Sequence, residues 1–165
     1  MRLNLREILR VPGASVPFDF QMDLSDLDFY GERPVEAPVR VSGAVRNMAD
    51  ALVLQGAAET ILSLHCDRCL KPFRREMSVP VDCLLAEQLE DEENDEIVLL
   101  EDGEVDLEEV FTTALILAMD SKHLCSEDCK GLCSRCGADL NEGPCGCKRE
   151  VDPRLAALAQ LLDKD

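Results

Sequence analysis

Leu52-Val-Leu54-Gln-Gly-Ala-Ala58-Glu-Thr-Ile-Leu62-Ser-Leu64-His65-Cys66-Asp-Arg-Cys69-Leu-Lys-Pro-Phe73-Arg-Arg-Glu-Met77-Ser-Val79-Pro-Val81-Asp-Cys83-Leu-Leu85 places two long alternating runs on either side of a C-x-x-C. In the first run Leu52, Leu54, Ala58, Leu62 and Leu64 share one parity, which continues to Cys66. In the second, Phe73, Met77, Val79, Val81, Cys83 and Leu85 do the same. A period of two puts one parity on one face of a strand. Two such runs around a short turn predict a hairpin, with the C-x-x-C as a knuckle whose thiols point toward one metal. Cys83, on the apolar parity, is expected in the core.

Upstream the same pattern recurs. Val16, Phe18, Phe20, Met22 and Leu24 alternate with Pro17, Asp19, Gln21 and Asp23, and Val39, Val41 and Val45 with Arg40, Ser42 and Arg46. Four such segments predict an antiparallel, barrel-like sheet over residues 1–100 with one buried face. Downstream, residues 87–109 hold 13 Asp or Glu and no Lys or Arg, interrupted by Ile97-Val98-Leu99-Leu100. That stretch reads as a solvated loop around a short edge strand, and its charge also suits a basic protein partner. Asp106 and Glu109 make a capping-box pattern. Leu107, Val110, Ala114, Leu117 and Ala118 then recur at helical spacing, widened by Phe111 and Leu115, and predict a helix covering the sheet. Near the end, Asp152-Pro153 reads as an N-cap and first helical position.

The totals exclude several classes. With one Tyr and no Trp, the chain lacks the aromatic platforms on which single-stranded nucleic acid stacks. Its net charge is −17, but the residues outside 87–109 sum to only −4, so the acidity is local. Phosphate neutralisation over the whole surface is excluded. No apolar run approaches the roughly 20 residues that span a bilayer, and the charged N-terminus lacks a signal peptide's apolar core. The expectation is a cytoplasmic chain without a membrane partner. Thiols stay reduced there, and nine cysteines leave one over in any disulfide scheme.

Six of the nine lie in twenty-three residues, as Cys125-x-x-x-Cys129, Cys133-x-x-Cys136-Gly137 and Cys145-x-Cys147. With Cys66 and Cys69 they make eight, enough for two four-thiolate tetrahedra, one or two ions in all. Structural Zn²⁺ fits best, since it is usually four-coordinate and favours thiolates. An iron–sulfur cluster and a thiol redox switch are the alternatives. The economical partition gives Cys133, Cys136, Cys145 and Cys147 one ion. Cys66, Cys69, Cys125 and Cys129 take the other and tie the module to the sheet. His65 and His123 adjoin the clusters as surface imidazoles or as substitutes for a sulfur ligand.

No phosphate loop, nucleophile elbow or H-E-x-x-H is present, so the chain reads as a non-enzyme. Arg68, Lys71, Arg74 and Arg75 surround the first knuckle and are candidate RNA phosphate contacts. The competing reading is a solvated hairpin tip balanced by nearby acids.

Cys66-Asp-Arg-Cys69-Leu-Lys-Pro-Phe73 resembles the C-x-R-C-L knuckle of the YceD family, the large ribosomal RNA subunit accumulation proteins. Leu124-Cys125-Ser-Glu-Asp-Cys129-Lys-Gly-Leu-Cys133-Ser-Arg-Cys136-Gly-Ala-Asp-Leu-Asn141 resembles the C-terminal module of some bacterial members, and Asp152-Pro-Arg-Leu-Ala-Ala-Leu resembles the family's closing helix. Many relatives have Pro where this chain has Ser134 and a Pro-containing stretch in place of Asp120-Ser121-Lys122; these departures leave every thiol in place. The resemblance implies a part in 23S rRNA accumulation and large-subunit biogenesis. It implies large-subunit rRNA or its precursor particle as partner, with a basic ribosomal protein such as ribosomal protein L32.

The expected protein is α+β, with three parts. Residues 1–120 form an antiparallel barrel-like sheet domain with acidic loop and covering helix, 121–150 a cysteine-rich zinc module, and 151–165 a C-terminal helix. Its expected role is a non-enzymatic ribosome biogenesis factor. The other readings are a redox-responsive zinc thiol protein and a zinc adaptor unrelated to ribosomes.

Overall fold

The computed structural model describes residues 1–48, 51–88 and 97–147. Strands β2 (Ser15–Met22), β3 (Val39–Met48), β4 (Ala51–His65) and β5 (Pro72–Ala86) pair antiparallel in succession. They are the four alternating segments, and the apolar parity is the one turned inward. Phe18, Met22, Val41, Val45, Leu54, Ala58, Leu62 and Val79 are buried, while Arg40, Gln55, Glu59 and Glu76 are exposed. The register is fixed by this division, because a slip of one residue would turn each strand's apolar set to water.

The sheet departs from a closed antiparallel barrel in two ways. β6 (Ile97–Leu99) joins the end of β5 in parallel, and the order β2-β3-β4-β5-β6 is open. Among the described residues nothing pairs β6 back to β2. β6 is only three residues long, and the chain leaves it through the turn Asp102-Gly103, both at positive φ (53° and 75°). Those angles suit an Asp-Gly hairpin turn. They send β7 (Glu104–Asp106) to pair with β1 (Arg2–Asn4) in a separate two-stranded ribbon.

Helix α1 (Leu107–Ala118) comes directly after β7, and Asp106 Oδ1 caps it by accepting the Glu108 N–H at 3.0 Å. Its buried face is Leu107, Phe111 and Leu115, while Val110 and Ala114 are half-buried and Leu117 is 80% exposed. The stripe read from sequence is thus re-centred on Phe111, for a reason that lies in the sheet. Gly43 faces Gly56 across β3 and β4, leaving a hollow. A Cβ at Gly56 would lie 2.7 Å from the Ser42 carbonyl oxygen and 3.1 Å from the rings of Phe111 and Phe18. Without those Cβ atoms, Phe111 meets Phe18 edge to face at 5.8 Å between centroids.

Residues 148–150 and the helix expected over 151–165 lie outside the described residues, as do 89–96 of the acidic stretch. No described helix is long and apolar enough to cross a membrane.

Candidate metal centre

The β4–β5 ladder ends at the pair His65↔Pro72, leaving Cys66–Lys71 as the turn. Within it the Cys66 N–H donates to the Lys71 carbonyl (3.0 Å) and the Leu70 N–H to the Cys66 carbonyl (2.8 Å). The stretch Cys133–Ala138 repeats this pattern: the Cys133 N–H donates to the Ala138 carbonyl (2.8 Å), and Gly137 to Cys133 (2.9 Å). The residue after the second cysteine is left-handed in both, Leu70 at φ 60° and Gly137 at φ 71°. Two Cys-x-Arg-Cys stretches, 67 residues apart, therefore fold into the same knuckle.

The structure brings the eight thiols into two groups of four, Cys66, Cys69, Cys125 and Cys129, and Cys133, Cys136, Cys145 and Cys147. Within each the sulfur atoms lie within 4.8 Å of one another. No disulfide joins any of them. In the first group the Sγ atoms of Cys66 and Cys129 are 3.7 Å apart, and those of Cys69 and Cys125 3.6 Å. A tetrahedral ion with metal–sulfur bonds of about 2.3 Å holds its sulfurs about 3.8 Å apart, so the donor set fits such an ion. The groups differ in setting. In the first, Cys66, Cys69 and Cys129 are buried against Phe73, Leu124 and Leu132 and Cys125 is exposed; in the second, Cys133 and Cys145 are half-buried and Cys136 and Cys147 exposed.

The thiols are electrostatically divided. Burial pushes the Cys66 thiol up, but N–H donors from Cys125, Cys69 and Arg68 outweigh it and bring it down to about 6. The Cys136 and Arg135 N–H groups bring Cys133 to about 6 in the same way. Hydrogen bonds with Cys66 and Cys69 push Cys125 up to about 12, and the bond with Cys136 pushes Cys147 to about 12. Each group thus offers one ready thiolate and at least one thiol that ionises only when a cation cancels its neighbours' charge.

The first knuckle is also a docking platform. Arg68 Nη1 donates to the Cys129 carbonyl at 2.8 Å, and the Arg68 carbonyl accepts the Leu132 N–H at 3.0 Å. Lys71 Nζ reaches Asp139 (2.7 Å) and Glu142 (3.0 Å), which hold its ammonium charged well above the ordinary lysine range. Arg75 bonds the Leu124 carbonyl (3.0 Å) and Asp120 (3.2 Å). The Asp67 N–H donates to the His123 carbonyl at 2.8 Å, and the Asp67 carboxylate accepts the His123 N–H. Three of the four cations proposed to touch RNA therefore fasten the module. Arg74 is exposed and has no ion-pair partner among the described residues.

Sequence reasoning missed Asn141, which joins the halves of the site. Its Nδ2 donates to Cys129 Sγ at 3.5 Å and to Asp139 at 2.7 Å, while its Oδ1 accepts the Lys130 N–H at 2.7 Å. Its one signal was its place at the end of the Cys125–Asn141 run. Neither histidine belongs to a four-thiol group. His65 Nδ1 lies 3.2 Å from Glu32, and the His123 ring lies beside Phe29. Cys83 packs at the core's margin, where burial raises its thiol.

Fold and site together define a small sheet protein with a thiol-rich module clamped onto its longest hairpin. The chain belongs to the YceD family: the family model described as large ribosomal RNA subunit accumulation protein YceD matches residues 54–162, from mid-β4 past both thiol groups. Similar proteins include an uncharacterized protein of Mycobacterium tuberculosis, 31% identical over 72% of this chain and 59% of its own length. YlbN, an uncharacterized protein of Bacillus subtilis, is 27% identical over 100% of this chain and 98% of its own. The chloroplastic large ribosomal RNA subunit accumulation protein YCED homolog 1 of Zea mays is 26% identical over 89% of this chain and 61% of its own. The chain spans about three-fifths of the mycobacterial and maize relatives. No solved structure matches.

Proposed function

We propose that this chain is a non-enzymatic factor supporting 23S rRNA accumulation and large ribosomal subunit biogenesis in the cytoplasm, with one structural Zn²⁺ in each four-thiol group. The observation that carries the reading is the span of the family match, which covers the hairpin, the helix and the module as one unit. Zinc is the ion of choice because four sulfurs at tetrahedral spacing suit its size and softness. With all four positions filled by sulfur no coordination site is left for a substrate, so the metal stabilises and the protein acts by binding. The sheet unit over 1–120, the module over 121–150 and the closing helix over 151–165 would then act as one body.

The proposed partners are large-subunit rRNA or its precursor particle and a basic ribosomal protein such as ribosomal protein L32, the latter drawn to the acidic stretch 87–109. Arg74 is the cation at the knuckle best placed for RNA, with Arg68, Lys71 and Arg75 beside it and already engaged. Deleting the gene and measuring the ratio of 23S to 16S rRNA tests the function. A fall in the ratio, restored by the intact chain, supports it, and an unchanged ratio leaves the adaptor reading. Exposed Cys136 and Cys147 favour a second reading, a redox-responsive zinc thiol protein. Oxidant titration of the loaded protein, with zinc release and a reversible gain of function, would favour it over the first.

A further inference from the structure

Helix α1 buries Leu107, Phe111 and Leu115 and half-buries Val110 and Ala114 against the core, which leaves Leu117 at the open edge of that packing. Val110, Ala114 and Leu117 turn toward a groove completed by Val98, Cys83 and Leu84. Leu117 is 80% exposed and Leu84 45%, so the apolar floor is open to water. A second cavity, of about 500 Å³, adjoins the first, of about 520 Å³, at Val98, Val110 and Thr113, which line both. The walls of the 500 Å³ cavity carry Glu87, Glu101, Glu104, Asp106 and Glu109, and the cations set against them are Arg2 and the Met1 ammonium, 3.2 Å from Asp106. Arg2 is already spent on Glu101 (3.4 Å) and Asp106 (3.8 Å), while Glu87 and Glu109 are exposed and without an ion pair among the described residues.

An apolar floor with an excess of carboxylates on its rim selects its occupant. A second copy of this chain would bring a net charge of −17 to that rim. The chain's own end, 151–165, has Arg154 and Lys164 against Asp152, Asp163 and Asp165, and so supplies no excess of cations. Nucleic acid is itself a polyanion. We propose that the groove between α1 and β6 docks an amphipathic, cationic segment of a partner protein. Its apolar side chains lie on Val98, Val110 and Leu117, and its Lys or Arg residues meet Glu87, Glu101 and Glu109. The inference rests on the reading that the acidic stretch holds a basic protein, and it moves the contact from the stretch as a whole to a defined groove.

The test uses the intact zinc-loaded chain and two synthetic probes, an amphipathic leucine–lysine helix and an oligolysine of equal charge, with binding read by fluorescence anisotropy. The amphipathic probe should bind at least about tenfold tighter, the worth of one or two buried apolar side chains. Leu117→Gln, at an exposed position, should remove about tenfold from the amphipathic probe and leave oligolysine unchanged. The pair Glu87→Gln and Glu109→Gln should weaken both. Equal affinity for the two probes would overturn the groove. If Leu117→Gln has no effect but amide replacement of Glu90, Asp91, Glu92, Glu93, Asp95 and Glu96 abolishes binding, the acidic stretch holds the partner and the groove does not. Binding that survives every variant sinks both readings. Binding that appears only after residues 151–165 are removed would make the chain's own end the occupant and overturn the proposal.

Discussion

Asn141 touches one thiol, and its Oδ1 accepts the Lys130 N–H just after that thiol in the chain. Its Nδ2 donates to Cys129 Sγ, so it orients that ligand from outside the four-thiol group. Asn141→Ala should lower metal affinity at the first group by about tenfold, read by competition with a chelator, and leave the second group's affinity unchanged. Asp139 gives a pH signature. The Lys71 ammonium, and then the Asn141 N–H, hold its carboxyl below the ordinary value of 3.8. A depressed acid stabilises the docked module above that value and loses its effect as pH falls through the folded one. Protection of the Leu132 amide should therefore differ between the native chain and Asp139→Asn at neutral pH, and the difference should close below about 3.8. A difference that persists in acid would contradict the assigned role. At this scale the sequence was legible in its thiols, while for its cations it offered both an RNA contact and a tip balanced by acids. The eight cysteines can be grouped by spacing, but Arg68, Lys71 and Arg75 look like a free basic patch until the acids and carbonyls that face them, 45 to 71 residues away, are folded against them.

The strands were readable because one face of each is buried and apolar residues dominate one parity from Leu52 to Leu64 and from Phe73 to Leu85, with Gly56, Thr60 and Arg75 as the exceptions. The open, mixed sheet was not, because β6 has three residues, too few for a period to show or for a parallel partner to be read. The helix was readable as a helix, yet its buried face depends on the hollow at Gly43 and Gly56, which only cross-strand register reveals. Phe111→Ala should empty that hollow and cost about 3–5 kcal/mol, seen as a lower denaturant midpoint. Gly56→Ala should instead overpack it, at about 1–3 kcal/mol, because the Ser42 carbonyl and two rings must give way. If Gly56→Ala were neutral, the ring pair would not be what fixes α1 on the sheet.

The molecule as a whole is a sheet with its own apolar core and a module that buries mainly its own thiols. Segments so poor in core depend on metal for their order. Chelation should then free residues 121–147 to protease while far-ultraviolet circular dichroism keeps its strand signal. Joint loss of both would mean that the ions also hold the sheet. Carboxylates crowd the α1–β6 groove, while Arg74 and the clamp lie at the other end of the β4–β5 hairpin. A factor that bridges a basic protein and rRNA needs such a division, and both contacts should weaken with salt. The most direct measurement is sedimentation of the tagged, zinc-loaded chain in lysate through a low-salt gradient, with identification of the RNA that travels with it. Co-migration with immature large-subunit particles, lost at moderate salt, is the predicted result. Migration as a free protein at low salt, with no large-subunit RNA beside it, would contradict the account.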